Sequence, residues 1–596
     1  MVPYTPPLSD IRFLLTRLIG MEKLAALPTY DAVAEELVDA VLDETAKIAS
    51  DVFAPLNQIG DAKGAVCANG VVTMPDGFKD AYLAFVEGGW NGLAVDTEAG
   101  GQGLPYSLGM PVQEMLQSAN LALALCTLLN QGAIELLSVH GSEALRAKFL
   151  PKLVSGEWTG TMNLTEPQAG SDVGAVKSRA ERDGGQYKIF GQKIFISYGD
   201  HDMADNILHL VLARLPDAPE GTKGLSLFLV PKIMVGDDGV LGAPNDVRTV
   251  SIEHKLGQHA SPTCVLAYGD KGGAVGYLVG AEHGGIAAMF TMMNNARIGV
   301  GIQGLGLMER SYQQALEYAQ GRVQGRDIAK PKEPPVAIVE HPDVKRLLLW
   351  MRAHTEAARA MAYACAYCVD VARRSNDTLQ KQDAAARVDI LTPVVKGWIT
   401  DLSNEVTSVG VQVCGGMGYI EETGMAQHMR DARVLAIYEG TNGIQANDLV
   451  FRKIARDGGK AFGILLGEVE SFLGELAKLS SPQDSFSVMH VYLLEAVALL
   501  KDAAGWMAST AKSDAALAAA TASVFLRLTG NVLGGYYLFK AAMLAQEDLK
   551  TGTGDAGYLQ DKIMTARFFA EHVLALSTGL ARTVKVGGAI ILDSYK

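Results

Sequence analysis

The hydrophobic positions of this chain change period twice. From Ser9 to about Leu153 they recur at helical spacing, with Ile11, Leu14, Leu15 and Leu18 in one segment and Val33, Leu37, Val41 and Ile48 in the next. Ala119 to Leu137 reads as a further helix, nearly all apolar from Leu121 through Leu129 and interrupted by Asn130 and Gln131. At about Thr159 the period falls to two. Runs at Lys193–Ser197, Ile207–Leu215, Leu225–Val230, Val247–Glu253 and Thr263–Tyr268 are divided by Gly, Pro, Asn and Asp, and Asp183-Gly184-Gly185 reads as a hairpin turn. This predicts a compact β domain of roughly seven or eight strands. From Gly284 the helical period returns and stays. Leu391, Val395, Trp398, Leu402, Val406 and Val409 form one stripe, with Pro393 expected to kink or interrupt the helix and Cys414-Gly415-Gly416 to end it.

The fold class is therefore α+β, mainly α. Four domains are expected: N-terminal helical (1–158), β-barrel-like (159–281), a helical bundle (282–454) and an additional helical domain (455–596). The length, 596 residues, exceeds what one core supports. A formal charge of −14 opposes nucleic-acid binding, which needs a basic surface. The tail from Phe451 stands apart, with 15 basic and 14 acidic residues. Six cysteines make no disulfide framework, and Cys365 and Cys368 lie in an alanine-rich helical run, where two small core residues are the better reading than a metal or redox pair. The N-terminus lacks the basic-then-apolar pattern of a signal peptide, and no uninterrupted apolar run reaches membrane-spanning length, so a cytoplasmic protein without a membrane span is expected.

Three stretches carry candidate chemistry. Tyr438-Glu439-Gly440-Thr441 sets a carboxylate on a turn; in an apolar pocket its pKa would rise and it would serve as a proton-abstracting base, though taken alone such a glutamate is more often a surface turn. Thr165 to Asp172 combines hydroxyls, a proline and a glycine, which is either an anion-facing loop or an ordinary connection. Phe195 and Ser197 share a face of a strand, suited to cover a flat ring and bond its edge, or simply a strand with one buried Phe. Gly299-Val300-Gly301-Ile302-Gln303-Gly304 matches a dinucleotide fingerprint, but it lies inside a helical run with no strand leading in, so close helix packing is the better account.

Those stretches, in this order and on this helix–strand–helix background, resemble the acyl-CoA dehydrogenase family over about Leu37 to Ile454. The resemblance implies an N-terminal helical domain, a β domain and a C-terminal four-helix bundle, with FAD as cofactor. It implies that Glu439 is the catalytic base and that Thr165, Ser171, Phe195, Ser197, Arg322, Gln412, Gly415, Gly416 and Thr441 contact FAD. Ser171 and Arg297 are implied at the substrate, and no metal is implied. The reaction implied is α,β-dehydrogenation of an acyl-CoA to the trans-2-enoyl-CoA, with electrons passed to an electron-transfer flavoprotein. Two departures stand out: Arg322-Val323-Gln324 leads into Gly325-Arg326 where the family has a phenylalanine, and Lys255-Leu256-Gly257 leads into Gln258-His259 rather than an arginine. The tail after Ile454 resembles that of the long members. Among these, 3-(methylthio)propanoyl-CoA is one implied substrate and medium- or long-chain acyl-CoA the alternative. An acyl-CoA oxidase and a DNA-associated flavoprotein are weaker readings, and a homodimer is expected, with the tail covering bundle surface.

Overall fold

The twelve-residue strand Gln186–Ser197 is the member of the β region to which the others are tied. The computed structural model describes residues 3–31 and 33–595. These fall into two compact units, one of Met1–Ala46, Pro105–Glu114 and Val300–Lys596, the other of Lys47–Leu104 and Met115–Gly299.

In the second unit Gln186–Ser197 pairs antiparallel with Thr263–Tyr268, Ala274–Val279 and Arg179–Asp183. Ala274–Val279 continues to Leu225–Pro231, that strand to Asn206–Arg214, and Asn206–Arg214 to Trp158–Asn163. Arg179 also meets Arg214, where the Arg214 N–H donates to the Ser178 carbonyl at 2.9 Å. That bridge closes five strands into a ring, which removes their open edges. Ala180, Ile189, Val211 and Phe228 fill its core. The ring explains a barrel-like reading, and the main sheet has eight strands. Periodicity missed Ala274–Val279, the ribbon Ile233–Val235 with Leu241–Pro244, and the small hairpin Val66–Ala68 with Val71–Thr73.

The apolar stretch predicted as Ala119–Leu137 is the helix Leu121–His140, which starts after Asn120 because the Asn120 side chain accepts from the Leu123 N–H. It lies on the strand Trp158–Asn163, where a Cβ at Gly160 would stand 2.3 Å from that of Ala133. By length and mean hydropathy this helix and Ala515–Thr551 are apolar enough to cross a membrane, although polar residues such as Asn130 and Gln131 interrupt the apolar run; 78 % and 61 % of their apolar windows are buried within the fold.

In the first unit the helix Gly285–Gly321 from Val300 onward and the long helices Pro342–Arg374 and Thr378–Cys414 are followed by a broken fourth segment: Met425–Ala432, a turn, and Asn442–Asn447. Pro393 sits inside Thr378–Cys414 without interrupting it; Thr392 Oγ1 binds the Val388 carbonyl at 2.7 Å on that turn. Gly415, at φ +58°, ends the helix as expected. The tail helices are integral to this unit. Trp398 is fully buried, donates to Asn531 Oδ1 at 2.9 Å, and lies where a Cβ on Gly530 or Gly534 would clash at 2.1 and 2.6 Å. A buried charge cluster ties the ends of the chain together. Arg359 donates to Glu114, Asp10 and Glu309 at 2.6–2.8 Å, and Lys562 to Asp10 and Glu356. Burial works to raise the Asp10 carboxyl, but the charges of Lys562 and Arg359 outweigh it and hold it well below the ordinary range.

Candidate active site

Glu439 occupies a bend between two short helices and adopts φ +56°, a left-handed conformation that costs a non-glycine residue energy. Gly440 follows at φ +88°, where only glycine is unstrained. Side chains of the neighbouring elements hold this double left-handed turn. Lys396, on the helix Thr378–Cys414 and 0 % exposed, donates to the Gly440 carbonyl and to Asn442 Oδ1, both at 2.8 Å. Gln445 Nε2 reaches the Glu439 and Gly440 carbonyls at 3.4 and 3.2 Å. Asn442 Nδ2 donates back to the Gly397 carbonyl, Thr400 Oγ1 and Asp401 Oδ1 at 2.7–3.0 Å. Burial raises the Asp401 carboxyl, against the pull of the Asn442 hydrogen bond. The Tyr438 hydroxyl donates to Gln303 Oε1. Thr441 caps the next helix, its hydroxyl accepting from the Ile444 N–H at 3.4 Å.

The other residues expected in this unit lie on its surface. Gln412 is exposed at the end of Thr378–Cys414, with Gly415 and Gly416 beside it, and a Cβ on either glycine would meet nothing within 4 Å. Arg322 is exposed where Gly285–Gly321 ends, its carbonyl accepting from the Ile338 N–H at 2.8 Å. The departure after Arg322 has a backbone reason. Gly325 stands at φ +74°, and its carbonyl accepts from the Val336 N–H at 3.0 Å, so a phenylalanine there would be strained.

In the β unit the loop and the strand are joined. The Ile194 N–H donates to the Thr165 carbonyl at 2.9 Å. Lys193, 0 % exposed, donates to Glu166 Oε1 at 2.8 Å and to the Leu164 carbonyl at 3.0 Å. Glu166 also accepts from the Lys177 and Ser178 N–H groups at 2.7 and 3.0 Å. Burial works to raise the Glu166 carboxyl, but the Lys193 charge and these hydrogen bonds outweigh it and hold it at about 2. Burial pulls the Lys193 ammonium down to about 8 against its partner. Both groups are thus ionised at neutral pH. Thr165 is half-buried and Ser171 exposed.

Phe195 adopts φ +59° at a bulge, where the pairing with Thr263–Tyr268 shifts register between Lys193 and Ile196. Its ring is 58 % exposed, so the reading as one buried Phe is corrected: the bulge turns it outward. Ile196 is buried and Ser197 half-buried, and the bulge between Lys193 and Ile196 interrupts the strict alternation from which a shared face was expected. Arg297 is buried within its helix, its guanidinium 5.8 Å from the Phe290 ring. Cys365 and Cys368 are buried core thiols, and among the described residues no cluster of three or more His, Cys, Asp or Glu is placed to hold a metal ion.

The sequence reading did not single out Lys193, Glu166, Lys396 and Asn442, the side chains that hold the loop and the turn in place. One signal existed for Lys396: it is a lysine set between buried apolar positions, Val395 and Trp398.

Comparison with known proteins agrees along the whole chain. Family models match in order: acyl-CoA dehydrogenase N-terminal domain at residues 39–157, middle domain at 161–270, C-terminal domain at 283–453, and an acetyl-CoA dehydrogenase C-terminal-like domain at 465–594. The chain is 44 % identical to 3-methylmercaptopropionyl-CoA dehydrogenase of Ruegeria pomeroyi, over 99 % of this chain and 100 % of that protein. It is 34 % identical to a butyryl-CoA dehydrogenase of Syntrophomonas wolfei, over 98 % and 97 %. The structure of Caenorhabditis elegans ACDH-11 in complex with C11-CoA superposes with a TM-score of 0.78 at 21 % identity, covering 100 % of this chain and 97 % of that one. The chain belongs to the acyl-CoA dehydrogenase family, as one of its long members.

Proposed function

We propose that Glu439 is the base of an FAD-dependent acyl-CoA dehydrogenase, taking the α-proton of an acyl-CoA as the trans-2-enoyl-CoA forms. The observation that carries this is backbone strain at a carboxylate. A glutamate kept in the left-handed region, with its following carbonyl and amide tied to a buried lysine and two buried amides, is a side chain whose position is over-determined by its surroundings. That is what a base needs if it must meet one carbon of a bound substrate.

FAD, when bound, supplies the acceptor for the hydride lost from the β-carbon. The residues suit it. Phe195 presents an exposed ring on the strand that ends in half-buried Ser197, the Thr165–Asp172 loop is pinned to that strand, and Gly415 and Gly416 leave open space. In this reading Phe195, Ser197, Thr165, Ser171 and Thr441 meet the flavin. Arg322, Gln412, Gly415 and Gly416 serve a second copy's cofactor, and Arg297 and Ser171 lie toward the substrate. Arg297 is buried, so it would act on neighbouring groups rather than on free solvent.

Substitution of Glu439 by Gln is expected to keep flavin and acyl-CoA binding and to lose nearly all turnover; near-normal turnover refutes the assignment. Both similar relatives act by name on short acyl groups, and a thioether sulfur replaces a methylene with little change of shape, so the substrate proposed is a short acyl-CoA such as 3-(methylthio)propanoyl-CoA. Steady-state rates over a chain-length series test this. The acceptor proposed is an electron-transfer flavoprotein; hydrogen peroxide formed without added acceptor would favour an oxidase instead. The buried tail packing supports a homodimer, testable by mass in solution, and six free thiols suit a reducing, cytoplasmic setting.

A further inference from the structure

The helix Thr378–Cys414 is a bundle element, and it buries a lysine away from its apolar stripe. Lys396 is 0 % exposed, on a helix that also buries Val395, Trp398 and Ile399 completely. An ammonium in such a place is costly unless it is bound, and it is bound to the turn that carries Glu439. We propose that Lys396 is the positioning residue for Glu439: its ammonium grips the Gly440 carbonyl directly and the start of the next helix through Asn442, fixing the left-handed turn from the core side. The inference rests on the reading of Glu439 as the base.

The contacts state what losing the ammonium would do. The Gly440 carbonyl keeps Gln445 Nε2 at 3.2 Å, and Asn442 Oδ1 keeps the Thr400 hydroxyl at 3.2 Å. Asn442 Nδ2 keeps its own anchors at Gly397, Thr400 and Asp401. The turn therefore stays formed but loses the shorter of the two hydrogen bonds on the Gly440 carbonyl, and Glu439 and Gly440 relax from a conformation that is strained at the glutamate. Such a change leaves substrate binding intact and misplaces the carboxylate, so it acts on turnover. A misplacement of about 1 Å at a reacting group costs on the order of a hundredfold in rate.

The test uses the flavin-loaded enzyme with a short acyl-CoA. Lys396→Met, nearly isosteric and without charge, is expected to retain flavin content and melting temperature. Its kcat should fall by roughly a hundredfold while KM stays within about twofold. Lys396→Arg, which keeps a cationic donor, should recover part of the loss. Asn442→Ser shortens the second tether and should lower kcat by a smaller factor in the same direction, which keeps the inference testable if Lys396→Met does not fold. In a Glu439→Gln background Lys396→Met should add little, because the two act as one unit. Wild-type kcat in Lys396→Met, a loss confined to KM, or a full additional loss in the Glu439→Gln background overturns the role of Lys396 alone. Normal turnover in Glu439→Gln removes the base and this inference with it.

Discussion

Two buried lysines do related work in different ways. Lys193 in the β unit and Lys396 in the bundle unit are both fully buried, and each fastens a segment bearing candidate site residues to a rigid element. Lys193 meets a carboxylate, and Glu166 in turn gathers two backbone N–H groups from the chain beyond the loop. Lys396 donates to a backbone carbonyl and a side-chain amide, and, against the burial that raises the nearby Asp401 carboxyl, its charge also acts to lower it. The ion pair closes a loop of eleven or more residues onto a strand and so belongs to the stability of its unit. The Lys396 hydrogen bonds fall on one short turn, at Gly440 and Asn442, and so belong to the accuracy of one side chain. A buried lysine thus serves folding where it closes a long loop, and placement where it holds a single turn.

The largest expected effect separates the two sites by what they damage. Lys193→Met leaves the Glu166 carboxylate buried without its partner and should destabilise the β unit by about 3–5 kcal/mol, read by urea unfolding. Lys193→Met combined with Glu166→Leu should return most of that loss, since a matched apolar pair replaces a buried ion pair at little net cost. If the single variant unfolds no more easily than wild type and only turnover falls, the distinction drawn above fails.

A second, smaller effect follows from pH. Glu166 binds its proton at about 2 in the folded chain against 4.5 for the ordinary group, so between those values the unfolded chain holds more protons. Stability therefore rises with pH through that interval and is lost as pH falls through it. The slope of unfolding free energy between pH 5 and pH 3 should be shallower in Glu166→Gln than in wild type. Asp10 contributes in the same direction, so the difference between variants is the measurement, not the absolute slope. The smallest effect concerns strain on the β side. Phe195→Gly should relieve about 1 kcal/mol of left-handed strain while lowering flavin retention. Stabilisation with unchanged flavin content would show that the Phe195 ring covers nothing.

Much of this architecture was legible in the chain. Period-two runs marked most strands of the ring, and the apolar stripe from Leu391 to Val409 marked its helix. A barrel-like domain was expected, but the pairing order that closes the ring was not legible, because closure rests on one bridge, Arg179 to Arg214, and pairing order leaves no trace in local periodicity. The break at Asn120 was hidden because a capping amide inside an apolar run looks like an interruption of one helix rather than the start of another. Glu439 was found by its motif. Its strain was not, since a positive φ at a glutamate is imposed by tertiary contacts from Lys396 and Gln445. Lys193 and Lys396 stayed unseen because a lysine reads as surface until the groups around it are known.

The pair of glycines at 530 and 534 makes a slot for the indole of Trp398, and Gly397 beside it is flanked by Leu526 on one side and Gln445 on the other. One helix thus touches the tail with one residue and the strained turn with its neighbour. A shortened protein ending near Ile454 would leave that indole facing water with nothing to sheathe it, and would take Leu526 away from the helix face that Gln445 shares. The last 140 or so residues are then a brace rather than an ornament, and any relative that dispenses with them must find other material to press against the same helix face.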